Sequence, residues 1–145
     1  MINVPYPTPD FSIKKEGEKR YIFDSIRKTW LLLTEEEWVR QNFVSYLTKV
    51  LHYSAALIAL EKEIMLSDLK KRFDIVVYDK RHQPWMLIEC KAPQIRLNED
   101  VLQQALRYNV SVPVKFIVMT NGAATIGWEK KEGLLYLLEA MPIID

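Results

Sequence analysis

Asp74, Glu89 and Lys91 are the residues of this chain whose types and spacing could do chemistry. Asp74 stands at the head of Phe73–Tyr78, an apolar run rich in β-branched and aromatic residues. Glu89 and Lys91 stand at the tail of a second apolar run, Trp85–Lys91. The polar break between the runs, Lys80–Pro84, has turn character, so two adjacent strands joined by a hairpin is the simplest reading. Strand side chains alternate, which sends Glu89 and Lys91 to one face and Cys90 to the other. Charges at the ends of apolar strands are costly to bury unless they are paired or bound to an ion. Two readings are open: a structural Glu89–Lys91 ion pair, or acidic groups that hold a cation beside an ammonium.

An Asp followed, after one hairpin, by Glu-x-Lys resembles the pattern of the PD-(D/E)XK nuclease superfamily, with Phe73 where a Pro often stands. Thr34–Gln41 (TEEEWVRQ), Arg72–Tyr78 (RFDIVVY), Ile88–Pro93 (IECKAP), Gln104–Tyr108 (QALRY) and Thr120–Gly122 (TNG) occur in that order. In this order they resemble the N-terminal nuclease domain of type I restriction enzyme R subunits, over roughly Tyr21 to Trp128. The motifs are weak one by one and fairly specific together. The resemblance implies a restriction-endonuclease-like α/β fold, a mixed central sheet flanked by helices. It implies a metal-dependent DNA endonuclease in which Asp74, Glu89 and the backbone carbonyl of Cys90 hold Mg²⁺, with Mn²⁺ a possible substitute. Lys91 completes the catalytic set, orienting the attacking water or offsetting charge on the phosphate. Gln104 and Tyr108, four apart on one helix face, would help to hold DNA; the plain alternative is a surface Gln beside a half-buried Tyr. The implied partners are DNA and restriction-system subunits or a motor protein. The competing expectation is an inactive nuclease-fold module for DNA binding or complex assembly.

The elements that must position these groups are legible. Thr34 with Glu37 three residues later reads as a capping box. Val39, Phe43, Tyr46, Leu47, Val50 and Leu51 then recur at helical spacing, predicting a helix to about His52. Glu37 has two readings, a capping residue or a helix acid approaching the metal. Arg40 and Gln41 could contact phosphate or the helix's own neighbours; Arg40 is taken with Arg72 as a candidate DNA contact. Ala56–Met65 reads as a strand leading to Phe73–Tyr78. In Phe73–Tyr78, alternation places Val76 and Tyr78 on Asp74's face and Phe73, Ile75 and Val77 on the other. Both faces are apolar, so the sheet should be covered on both sides. Asn98 is a plausible cap for a helix over Glu99–Asn109. Val114–Thr120, Ala123–Trp128 and Leu134–Glu139 read as strands, with turns at Asn121-Gly122 and Glu129–Gly133. Residues 1–19 read as an extended arm carrying Pro5, Pro7 and Pro9. Arg20–Phe23 and Thr29–Leu33 form the hairpin that follows it.

At 145 residues, with 49% apolar and 27% charged, the chain is one domain with enough core to fold without staples. A net charge of +1 argues against a protein that coats nucleic acid non-specifically. An acidic metal site beside a local basic rim is compatible with it. The single cysteine, Cys90, excludes an internal disulfide and a multi-cysteine zinc site. Cys90 is read as a small core residue, and His52 and His82 as structural or exposed. The glycines form no phosphate-binding loop. No apolar run approaches the ~20 residues of a membrane span, and the first residues do not read as a signal peptide, so no membrane contact and a cytoplasmic location are expected.

Overall fold

In the computed structural model the described residues are 1–66, 69–109 and 112–144, without the side chains at positions 66, 69, 108 and 109. Strands β1 (Ile13–Glu16), β2 (Lys19–Asp24) and β3 (Thr29–Leu32) form an antiparallel sheet in that order. Helix α1 (Glu35–Lys49) leads through a 3-10 turn at Ala55–Leu57 into β4 (Ile58–Leu66), β5 (Leu69–Tyr78) and β6 (Pro84–Cys90). Helix α2 (Glu99–Asn109), β7 (Phe116–Thr120), β8 (Thr125–Lys131) and β9 (Leu134–Leu137) follow. The six later strands make one sheet in chain order, antiparallel throughout except β6 against β7. That one parallel pair needs a crossover, and α2 supplies it. The fold is therefore α/β, a mixed sheet with two helices and a small antiparallel sheet at the N-terminal side.

Both faces of the large sheet are buried. Ile75, Val77, Met86, Ile88, Cys90 and Val118 pack towards Val39, Phe43, Val44 and Leu47 of α1. On the other face Phe73, Val76, Leu87, Ile117 and Trp128 meet Leu102 and Leu106 of α2. Residues 1–12 lie extended along this body. Ile2 is buried and donates its N–H to the carbonyl of Thr125, and Tyr6 packs against Phe43 and Tyr46. Among the described residues no helix is long and apolar enough to cross a membrane.

Several expectations need correction. The arm is shorter than residues 1–19, because Ile13–Glu16 pairs with β2 as a third strand; four residues with one half-buried side chain carry too little periodicity to be seen. Helix α1 stops at Lys49, where the N–H groups of Val50 and Leu51 both donate to Tyr46 and His52 turns left-handed (φ 59°). Strand β8 runs on through Glu129–Lys131, which pairs with β9 rather than turning. Phe73 does not share a face with Ile75 and Val77. It packs with Val76 in the α2-side core, so the alternation breaks at Asp74.

Candidate active site

That break is where the site forms. Strands β4 and β5 pair Leu60 with Ile75 and Lys62 with Phe73, which sets Glu61 opposite Asp74. Glu61 takes φ 52°, a left-handed conformation rare for a side chain of this kind, and the regular pairing skips this position. On the other side of β5 the last pair with β6 is Ile75 with Ile88. Beyond it the Asp74 carboxylate takes over the role of a ladder partner. Its Oδ2 accepts a hydrogen bond from the backbone N–H of Cys90 at 2.8 Å. The two strands are thus joined by a side chain where their backbones have parted.

Cys90 is fully buried on the α1 side, and burial pushes its thiol pKa up, away from nucleophilic chemistry. Glu89 is half-buried and stands beside Asp74. Burial first, then the charge of Asp74 and a hydrogen bond with it, push the Glu89 carboxyl up to about 7, with Lys91 pulling the other way. Lys91 is held at the backbone, where its N–H donates to the carbonyl of Thr120 on β7 at 2.9 Å. Its ammonium also favours the charged form of Glu36. Among the described residues Lys91 makes no direct ion pair with either carboxylate. The structure therefore brings Asp74, Glu89 and Lys91 into one region without the simple Glu89–Lys91 pair.

Helix α1 contributes the rest. Thr34 caps it, its Oγ1 accepting from the N–H of Glu37 at 3.0 Å. The Glu37 side chain does not return to close the capping box. Its Oε1 takes Arg40 Nη1 at 2.6 Å and its Oε2 takes Gln41 Nε2 at 3.0 Å, with Arg27 Nη2 at 3.5 Å. Both oxygens are thus engaged by this chain's own donors, as both oxygens of Asp74 are by Cys90 N–H and Arg40. Arg40 Nη2 reaches Glu61 Oε1 at 2.8 Å and Asp74 Oδ1 at 3.0 Å, and Glu36 Oε1 lies 3.9 Å away. The Arg40 side chain is only 7% exposed, and its terminal nitrogens are turned to carboxylates of this chain. Burial opposes its charge, and the carboxylates of Glu37, Asp74 and Glu61 outweigh burial and raise its pKa. Arg72 Nε pairs with Glu61 Oε2 at 2.9 Å and is open to solvent. Alternating charge therefore runs without interruption from Asp24 and Arg27 beside β2, through Glu37 and Arg40, to Asp74, Glu61 and Arg72.

Glu36, Glu61 and Arg27 belong to this region, and sequence reasoning did not single them out. Glu36, one residue before Glu37, feels burial and the charge of Asp74, both of which raise its pKa. Its position in the first helical turn was visible, but three consecutive glutamates, Glu35, Glu36 and Glu37, do not say which one faces inward. Gln104 lies exposed on α2, on the crossover that follows the site. The Tyr108 side chain is outside the described residues.

Among the described residues no group of three or more His, Cys, Asp or Glu side chains is arranged to hold a metal ion. The oxygen groups at the strand fork that could take a hard divalent cation are the adjacent carboxylates of Asp74 and Glu89. Burial and the charge of Asp74 push the Glu89 carboxyl up to about 7. That condition is one a divalent cation relieves.

No curated protein matches this chain. A family model for the type I restriction enzyme R protein N terminus matches residues 35–142, from the first turn of α1 past the end of β9. The match spans α1, the strands that carry Asp74 and Glu89, and the α2 crossover, so the chain belongs to the family of type I restriction enzyme R protein N-terminal domains.

Proposed function

We propose that this domain is a metal-dependent DNA endonuclease of the PD-(D/E)XK type, hydrolysing phosphodiester bonds in a restriction system in the cytoplasm. The observation that carries the reading is the place of Asp74 at the fork of two strands, where its carboxylate accepts the Cys90 N–H and lies beside Glu89. Asp74, Glu89 and the Cys90 carbonyl would hold Mg²⁺ or Mn²⁺. The ion, when bound, supplies charge that polarises the phosphodiester and lowers the pKa of a water. The protein's own groups do the rest. Asp74 is held at both oxygens, by Cys90 N–H and by Arg40, so it binds from a fixed position. The Lys91 ammonium, without a direct partner among the described residues, orients water or offsets charge building on the phosphate. Gln104 and Tyr108 on α2 position the DNA strand, with Arg72 at the rim. Restriction-system subunits or a motor protein are the partners in keeping with the family.

The test is incubation of the purified protein with supercoiled and linear DNA in Mg²⁺, Mn²⁺ or EDTA. Nicking or cleavage is expected with metal and not in EDTA, and Lys91→Ala should abolish it with an unchanged melting curve. Cleavage by Lys91→Ala at the wild-type rate would remove this mechanism. A second reading is an inactive nuclease-fold module for DNA binding or complex assembly. The Arg40–Asp74 bond favours it, since a guanidinium already neutralises one of the two carboxylates. Such a module would bind DNA without any response to divalent cations.

A further inference from the structure

Arg40 presents a fixed five-donor fork to carboxylates on three different elements. Its Nη1 meets Glu37 at 2.6 Å; its Nη2 meets Glu61 at 2.8 Å and Asp74 at 3.0 Å. Each of the two outer carboxylates is itself held from behind, Glu37 by Gln41 and Glu61 by Arg72. Among the described residues Arg40 Nε is buried with no partner, so the side chain is placed by its two terminal nitrogens. Opposite strand positions put Glu61 and Asp74 face to face, and like charges so placed repel. Arg40 turns that repulsion into a bridge. It takes one Asp74 oxygen and leaves the other for the Cys90 N–H, the bond that keeps Asp74 at the strand fork next to Glu89.

We infer that Arg40 is a positioning residue that holds the Asp74 carboxylate in the orientation that receives the divalent cation. The cation clause rests on the function proposed above; the positioning clause does not. A mere counter-charge would behave differently. Removing a nearby positive charge would by itself tighten the binding of a cation, whereas removing a group that orients a ligand loosens it, by about 10–100-fold for typical supporting partners.

The test uses Arg40→Met and Arg40→Lys. The lysine variant keeps the charge but replaces the planar fork by a single ammonium, which cannot serve Glu37, Glu61 and Asp74 together, and it stands in should the methionine variant not fold. Amide hydrogen exchange in EDTA reads Asp74 without any metal. The Cys90 N–H should exchange at least ~10-fold faster in the variants, with the neighbouring Lys91 N–H, bonded to Thr120, unchanged. A Mn²⁺ titration by calorimetry should show a Kd raised at least ~10-fold in Arg40→Lys. Undiminished Cys90 protection, or Mn²⁺ binding as tight as or tighter than in the wild type, overturns the proposal. A wild type that binds no Mn²⁺ would instead overturn the metal-site reading, and the Cys90 exchange rate would still decide the role of Arg40 in holding Asp74.

Discussion

The carboxylate of Asp74 accepts the backbone N–H of Cys90 at 2.8 Å, one step beyond the last backbone pair of β5 and β6. A buried N–H left without a partner costs about 1–3 kcal/mol, so this bond is structural as well as chemical. It explains how a residue on β5 and the Glu89 that precedes Cys90 on β6 come to share one space. That shared space, and the helices beside it, can be tested in four ways.

Mg²⁺ or Mn²⁺ should stabilise the fold, with Asp74 and Glu89 carrying the effect. At free metal of about a hundred times its dissociation constant the gain is about 2.7 kcal/mol, a rise in Tm of roughly 5–10 °C for a domain of this size. Glu89→Gln should lose most of that rise, while melting in EDTA at or above the wild-type temperature at pH 8. A wild type whose Tm ignores both metals would leave the acidic pair without its cation.

Stability without metal should fall as pH rises from about 4.5 to about 7. Over that window folded Glu89, with its carboxyl pushed up to about 7 from the ordinary 4.5, holds a proton that the unfolded chain has already released. The folded state therefore binds more protons, and the slope of unfolding free energy with pH is negative. A tenfold difference in proton affinity between the two states corresponds to about 1.4 kcal/mol. The loss is then at most about 3–4 kcal/mol, less in proportion to the part of Glu89 that solvent reaches. Urea midpoints in EDTA at pH 5 and pH 7.5 measure it, and Glu89→Gln should flatten the difference.

Gln104→Ala should weaken DNA affinity several-fold at fixed salt and leave the Mn²⁺ Kd alone, because Gln104 is exposed on α2 and carries no carboxylate for the ion. Tyr108→Phe should act in the same direction. Fluorescence anisotropy with a short duplex at constant ionic strength reads both. Wild-type affinity in the two variants would make these residues structural.

Thr34→Ala should destabilise the domain by about 1 kcal/mol through the lost cap on Glu37 N–H. The Glu37 side chain is held by Arg40 and Gln41 rather than by the cap, so the Mn²⁺ Kd should not change. A Kd that shifts together with stability would mean that the start of α1, and not Arg40, sets the site.

The local part of this molecule was present in the sequence. The helical spacing of Val39, Phe43 and Leu47 marked α1, and Asn98 marked the start of α2, where its Oδ1 accepts from Val101 N–H at 3.0 Å. Apolar runs without a polar face marked β5, β6 and β7 as strands covered on both sides, because short-range patterning is dictated by which side chains must leave water. The family, too, was readable from ordered motifs, and the match over residues 35–142 agrees with it. What only the tertiary structure decided is how the charges are partnered. Alternation along β5 assigned Phe73 to the wrong face because it assumes an unbroken pleat, and the pleat breaks at Asp74. Nothing local brings Arg40 to Asp74, 34 residues away, or sets Glu61 opposite Asp74. Those pairings come from strand register and from where α1 lies on the sheet, so the partnership of Arg40 with Asp74 was decided by packing distant segments together.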